Sequence, residues 1–140
     1  GAFGAFGFGY AQDRMGKVSA LRFTIAVWIV MCVVAYYSQT RAMFWLAANL
    51  AGLCMGSSQS AGRALVAYLS PADRSAEFFG LWGFAIRLAA ILGPVTYGAV
   101  TWMTGGNHRL AILLTGAFFV VALVILIFVD ERRGRKQVEN

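Results

Sequence analysis

The chain has 140 residues, of which 59% are hydrophobic, 14% aromatic and only 13% charged. A water-soluble domain of this size has more surface to keep polar than such a chain supplies, which excludes soluble enzymes and soluble binding modules. Twelve Lys and Arg against six Asp and Glu leave a net charge of +6, and the placement of those cations, taken up below, excludes a nucleic-acid partner as well.

A helical crossing of a bilayer needs about 20 predominantly apolar residues. Residues 1–12 are apolar and glycine-rich but stop at Asp13, Arg14 and Lys17. They read as a partial span, the end of a helix whose beginning lies outside the chain, in keeping with the lack of an initiating Met. A secretory leader does not fit, because a basic n-region and a small-residue cleavage site are missing. Full spans are predicted over about 20–38, 42–68, 77–103 and 109–129, followed by a basic tail over 130–140. The connections are short, so consecutive spans must run antiparallel in one helical bundle. Ser70-Pro71-Ala72-Asp73 has the pattern of a capping box with Pro at the first helical position, which predicts that the third full span starts there. Thr104-Gly105-Gly106-Asn107 is the turn at the other side.

The basic residues divide unequally between the two sides. Arg14, Lys17 and Arg22 surround the first loop, Arg63 and Arg74 flank the Ser70 turn, and Arg132, Arg133, Arg135 and Lys136 fill the tail. The opposite side holds Arg41, His108 and Arg109. By the positive-inside rule the first side, with the tail, is cytoplasmic. A nucleic-acid surface would instead interleave its cations with exposed aromatics on one folded face.

Two cysteines, Cys32 and Cys54, fall in separate spans without metal-ligand spacing, and His108 stands alone in a turn. No metal, cofactor or enzymatic chemistry is therefore expected. The glycines of residues 1–9 follow no strand and suit close helix packing better than a dinucleotide.

Some residues look placed for a purpose. In the loop from Gly9 to Lys17, Asp13 follows a helix C-terminus, where its charge opposes the dipole, so another donor should hold it. Gly16 permits a tight reversal, and Arg14 and Lys17 suit a cytoplasmic boundary; an ordinary basic turn accounts for the same residues. In the second full span Asn49, Gly52, Gly56, Gln59, Ser60, Arg63 and Ala67 share one face within roughly 120° at the helical period. That small, polar wall suits close packing or a water-filled cavity, although Arg63 near the boundary can also snorkel. In the third, Gly80, Gly83, Arg87, Ala90, Pro94, Gly98 and Thr101 form a stripe opposite a Leu-rich side. Arg87 is expected to turn inward, as a pathway residue or as a structural ion pair. Gly93-Pro94 removes a backbone hydrogen bond near mid-span and predicts a kink or loosening. Glu77 at the start of that span favours the helix dipole and can pair with Arg63 or Arg74.

The loop Gly9 to Lys17 matches the G-x-x-x-D-R-x-G-[RK] pattern of the major facilitator superfamily. Gln59-Ser60-Ala61-Gly62-Arg63, Ser70-Pro71, Ala76-Glu77-Phe78-Phe79-Gly80 and Leu92-Gly93-Pro94, ahead of the basic tail, narrow the match. With these elements in register the chain resembles the vacuole-effluxer-like family that includes autophagy-related amino-acid effluxers, departing from it at Gly62 and Ala64, where serines are frequent. The resemblance implies an all-α polytopic fold, the C-terminal part of a twelve-helix transporter, with the end of helix 8 and helices 9 to 12 present and the N-terminal half of the same protein missing. It implies secondary active transport of a small solute, an amino acid among the candidates, by alternating access, with a coupling proton as a further candidate partner. The expected setting is a bacterial inner membrane with the C-terminus cytoplasmic. A non-transporting scaffold or receptor on the same helices is the alternative. Asn49, Gln59, Arg63 and Arg87 are the pathway candidates; Gly9, Asp13, Arg14, Gly16, Lys17, Glu77, Gly93 and Pro94 are the structural or gating motif.

Overall fold

The computed structural model describes residues 16–129, and the expectations for Gly9, Asp13, Arg14 and the tail lie outside them. Within this range the chain forms α1 (Lys17–Tyr37), α2 (Arg41–Leu69), α3 (Ser75–Met103) and α4 (His108–Ile127). α1, α3 and α4 are long and apolar enough to cross a membrane, which makes this an integral membrane protein. α2 has the length, at 29 residues, but its run of Asn49, Ser57, Ser58, Gln59, Ser60 and Arg63 dilutes its apolar character. Such a helix is sheltered by other helices in a bundle more readily than it is faced to lipid.

α2 and α4 start at a side-chain cap, and α1 follows a glycine. Gly16 takes φ 84° ahead of α1, a left-handed value that costs glycine least. Thr40 accepts a hydrogen bond from the Met43 amide at 3.3 Å, and Asn107 accepts one from the Leu110 amide at 3.1 Å, so both cap their helices. Gly105 and Gly106 make the preceding turn with φ 66° and 98°.

The Ser70 turn differs from its sequence reading. Ser70 ends α2 instead of starting α3: its hydroxyl donates back to the Val66 carbonyl at 2.6 Å. Residues 71–74 form a separate turn closed by the Arg74 amide on the Pro71 carbonyl at 3.1 Å, and α3 begins at Ser75. The buried Ser70 hydroxyl found its acceptor on the preceding helix, which removed it as a cap for the next. The helix then runs unbroken through Pro94.

α1 is the central helix, packed along both α2 and α4, while α3 rests mainly on α4. The seams are built from small side chains: Val18, Ala20, Thr24, Ile25 and Cys32 are buried on α1, Ala47, Cys54, Ser57 and Ala61 on α2, and Ala111 and Gly116 on α4. Small residues let helix backbones approach, and the close packing stands in for the hydrophobic drive that lipid does not provide. The two fully buried hydroxyls are satisfied within their own helices, Thr24 on the Ala20 carbonyl at 2.9 Å and Ser57 on Leu53 and Cys54 at 3.0 and 3.1 Å.

The tightest approach is at Gly116, where an added Cβ would lie 3.1 Å from the Cβ of Cys32. That neighbour is fixed to the backbone and cannot rotate away. Gly116→Val is expected to destabilise the α1–α4 seam by about 1–3 kcal/mol, the usual cost of overpacking. Chemical unfolding in detergent checks this, and Cys32→Ala should not rescue the variant because it keeps the offending carbon.

Candidate functional site

The buried stripe of α2, Ala47, Cys54, Ser57 and Ala61, faces the rest of the described bundle. The polar wall lies on another side of the helix. Asn49, Gln59 and Arg63 are exposed, and the space a Gly52 side chain would take holds no atom within 4 Å. Asn49 spends one amide hydrogen on its own helix, donating to the Trp45 carbonyl at 2.8 Å.

Arg63 is the candidate with the most definite surroundings. Its guanidinium lies over the Trp82 ring of α3, 5.7 Å from the centroid, while Gly62 leaves room for the same indole, 3.5 Å from where a Cβ would be. Phe79 meets Trp82 edge-on at 6.3 Å. This cation–aromatic joint fastens α3 to α2 beside the 71–74 turn. Trp82 did not stand out in the sequence; its signal is a large aromatic placed opposite a glycine–arginine pair.

Arg87 lies five residues beyond Trp82, about 140° further round α3 at the helical period, so it points away from that joint. It is exposed, with no hydrogen bond or ion pair to another described residue. Within residues 16–129 Gly80, Arg87, Ala90, Pro94 and Gly98 of its stripe are exposed and Gly83 and Thr101 half-buried, and the Leu-rich side is exposed as well. Besides Trp82, the half-buried residues of α3 include Gly93, Thr96, Tyr97, Val100 and Thr101, the last of them a member of that stripe. No bond joins Asn49, Gln59, Arg63 and Arg87 to one another among the described residues.

Glu77 pairs with Arg74, whose Nη2 is 2.7 Å and Nε 3.0 Å from the same carboxylate oxygen. The hydrogen bond to Glu77, then its charge, pushes the Arg74 pKa up. Both side chains are mostly exposed, so water screens the pair and it is only a local staple at the start of α3. Lys17 lies over the ring of Tyr68, 4.4 Å from its centroid. The motif cation Lys17, Arg63, Arg74 and Glu77 thus share the end of the bundle at the 71–74 turn.

Arginines neglected by the site reading hold the first and last described helices together. Arg22 of α1 donates to the carbonyls of Leu126 at 2.9 and 2.6 Å, Ile127 at 3.2 Å and Val129 at 3.1 Å. These carbonyls lie at and just past the end of α4, where Leu126 also accepts from the Val129 amide at 3.3 Å. At the opposite end Arg109 of α4 donates to the Ser38 carbonyl at 2.7 Å, just past the end of α1. Each antiparallel helix closes the other's C-terminus with a guanidinium, where a cation also suits the dipole. Among the described residues no cluster of His, Cys, Asp and Glu could hold a metal ion.

Comparison with known proteins places this bundle. The profile of the family described as "Vacuole effluxer Atg22 like" matches residues 1–139, almost the entire chain. The chain belongs to the Atg22-like vacuole effluxer family. Relatives within and near this family include an uncharacterized MFS-type transporter, YxiO, of Bacillus subtilis, 32% identical over 89% of this chain and 29% of its own length. Autophagy-related protein 22 of Cryptococcus neoformans is 34% identical over 61% of this chain and 16% of its own. Protein spinster homolog 1 of Xenopus tropicalis is 26% identical over 95% of this chain and 26% of its own. The chain therefore spans under a third of each of these relatives. No solved structure matches it. The Atg22-like assignment agrees with the helical, membrane-spanning bundle.

Proposed function

We propose that this chain forms helices 9 to 12 of a twelve-helix secondary transporter that moves a small solute by alternating access. The observation that carries the proposal is the polar wall of α2, Asn49 and Gln59 beside an open Gly52, left uncovered among the described residues and ending at Arg63 over Trp82, in a protein whose family relatives include an MFS-type transporter. A face of that kind is costly against lipid and useful against a second helical half or a water-filled pathway. Arg87, exposed on α3, supplies a cation on a stripe that the remaining helices would cover, and guanidinium groups suit a carboxylate-bearing solute such as an amino acid. A coupling proton would be carried by Glu77 or by a carboxylate of the other helices. The 71–74 turn faces the cytoplasm of a bacterial inner membrane, together with the tail, because the cations gather at that end.

The test is flux through the full-length protein in proteoliposomes. Saturable uptake or counterflow of an amino acid or another small polar solute is expected; no flux for any solute in a broad panel would favour a scaffold or receptor. Sidedness is checked in intact cells with an impermeant thiol reagent. Gln39→Cys should label from outside and Ala72→Cys only after permeabilisation, with the buried Cys32 and Cys54 quiet; the reverse pattern would invert the orientation.

A further inference from the structure

The half of the bundle next to Ser38 and Asn107 contains a cavity of about 360 Å³ to which all four helices contribute. Its wall is drawn from residues 28–35 of α1, 44–51 of α2, Tyr97 of α3 and 112–119 of α4. The cause is local: Ala35, Ala47, Ala48 and Ala51 keep the wall thin where the helices meet. Trp28 and Phe119 stack at 5.0 Å with rings 9° apart and close the deeper end. The volume falls within the range of about 300–1,000 Å³ found for ligand sites.

The chemistry of the wall narrows the occupant. No charged residue lines it, and its two hydroxyls are already engaged. Thr115 donates to the Ala111 carbonyl at 2.9 Å, and the Tyr97 hydroxyl is 3.0 Å from Nδ1 of His108. A zwitterion placed here would lose its water and gain no partner, a penalty of several kcal/mol. Water itself would lack the two to four polar contacts it needs. A hydrocarbon chain loses nothing on entering, and the surrounding bilayer offers one at high concentration. The way in lies beside Phe44, which is 63% exposed, and Ala48, also exposed.

We propose that this cavity holds one hydrocarbon chain of a membrane lipid, taken from the leaflet on the Ser38 and Asn107 side. The Tyr97–His108 pair marks the leaflet-surface end, since α4 begins at His108. The site is separate from the polar wall of α2 and from Arg87, none of whose residues line it. A lipid tail there would fill the junction of α1, α2 and α4 that the alanines leave open.

The experiment uses the full-length protein in phosphatidylcholine vesicles containing a trace of phosphatidylcholine with a diazirine near the end of one acyl chain. After irradiation, adducts are mapped by peptide mass spectrometry. Adducts on residues 47–51 and on Ile112 should exceed those on the outward Val95 and Val121 by about tenfold, the ratio that 1.4 kcal/mol of preference gives. Ala48→Leu and Ile112→Phe fill the cavity from different helices, and each folded variant should bring wall labelling down to the outward level. Equal labelling of wall and outward residues in the parent protein would overturn the proposal, whatever the variants do. So would wall adducts that persist in a folded filling variant. Displacement of the wall adducts by a transported solute would make this a solute site and also sink the lipid reading. Flux is measured separately, so its presence or absence bears on transport and not on the lipid.

Discussion

Arg87→Ala in the full-length protein is expected to lower flux about tenfold or more while leaving membrane insertion and protein yield unchanged. The two halves of this expectation rest on different observations. Arg87 is exposed and bonds to no described residue, so its removal strands no partner within this bundle, and exposed substitutions of that kind stay within about 0.5 kcal/mol. Its place is nevertheless deep: twelve residues into α3 is about 18 Å along the helix, well inside a hydrocarbon core about 30 Å thick. A guanidinium at that depth is kept only with a partner, in the rest of the protein or in the solute. A hydrogen bond to a charged group contributes about 1.5–3 kcal/mol, which corresponds to roughly 10- to 150-fold in a rate or an affinity. Arg87→Lys separates charge from geometry, since a lysine keeps the cation and loses the planar fork. Normal transport in Arg87→Ala would take the side chain out of the solute pathway and leave it a structural role.

Arg22→Ala should cost the most stability of any single surface-side substitution in the described bundle, about 2–3 kcal/mol. Four contacts to three carbonyls vanish together; Leu126 keeps the Val129 amide, while Ile127 and Val129 lose the guanidinium at the membrane boundary. Arg22→Lys should fall between the two, retaining the favourable charge at the helix end but not the fork. Arg109→Ala removes one exposed bond and should cost about 1 kcal/mol or less. Ser38 lies 16 residues from Arg22, about 24 Å along α1, so the double variant should equal the sum of the singles. Thermal or chemical unfolding of the purified full-length protein measures all of these; a neutral Arg22→Ala would show that water or lipid headgroups serve the α4 carbonyls equally well.

The helical, membrane-spanning character was legible because it needs only apolar run length and short polar turns, both of which are local. Family membership was legible for a similar reason: Gly9 to Lys17, Gln59 to Arg63 and Ala76 to Gly80 are short strings in a fixed order. The Ser70 turn was misread because a serine before a proline fits a helix start and a helix end equally well, and the choice fell to whichever acceptor, here the Val66 carbonyl, was nearer in three dimensions. The pairing of Glu77 with Arg74 in preference to Arg63 had the same origin, with Arg63 drawn to Trp82. Least legible were the features made by residues remote in the chain. Arg22 and Leu126 are 104 positions apart, Arg109 and Ser38 are 71 apart, and the cavity needs short side chains on separate helices to coincide at one depth. The candidate pathway residues occupy an intermediate position. Periodicity put Asn49, Gln59 and Arg63 on one wall, and that wall is exposed among the described residues, so its face was legible in the sequence and its use was not.

The guanidinium of Arg22 also sets an order of events during synthesis. Its acceptors lie 104 to 107 residues further along the chain, and a ribosome adding about 5–20 residues per second takes roughly 5–20 s to reach them. Throughout that interval α1 is in the membrane with an arginine whose eventual partner has not been made. α2 can dock beside it early, but the other seam stays open until the last turn of α4 has left the ribosome and inserted. In a nascent chain stopped anywhere before Leu126, α1 therefore lacks the carbonyls that Arg22 braces, and the α1–α4 seam is the last of its two to close.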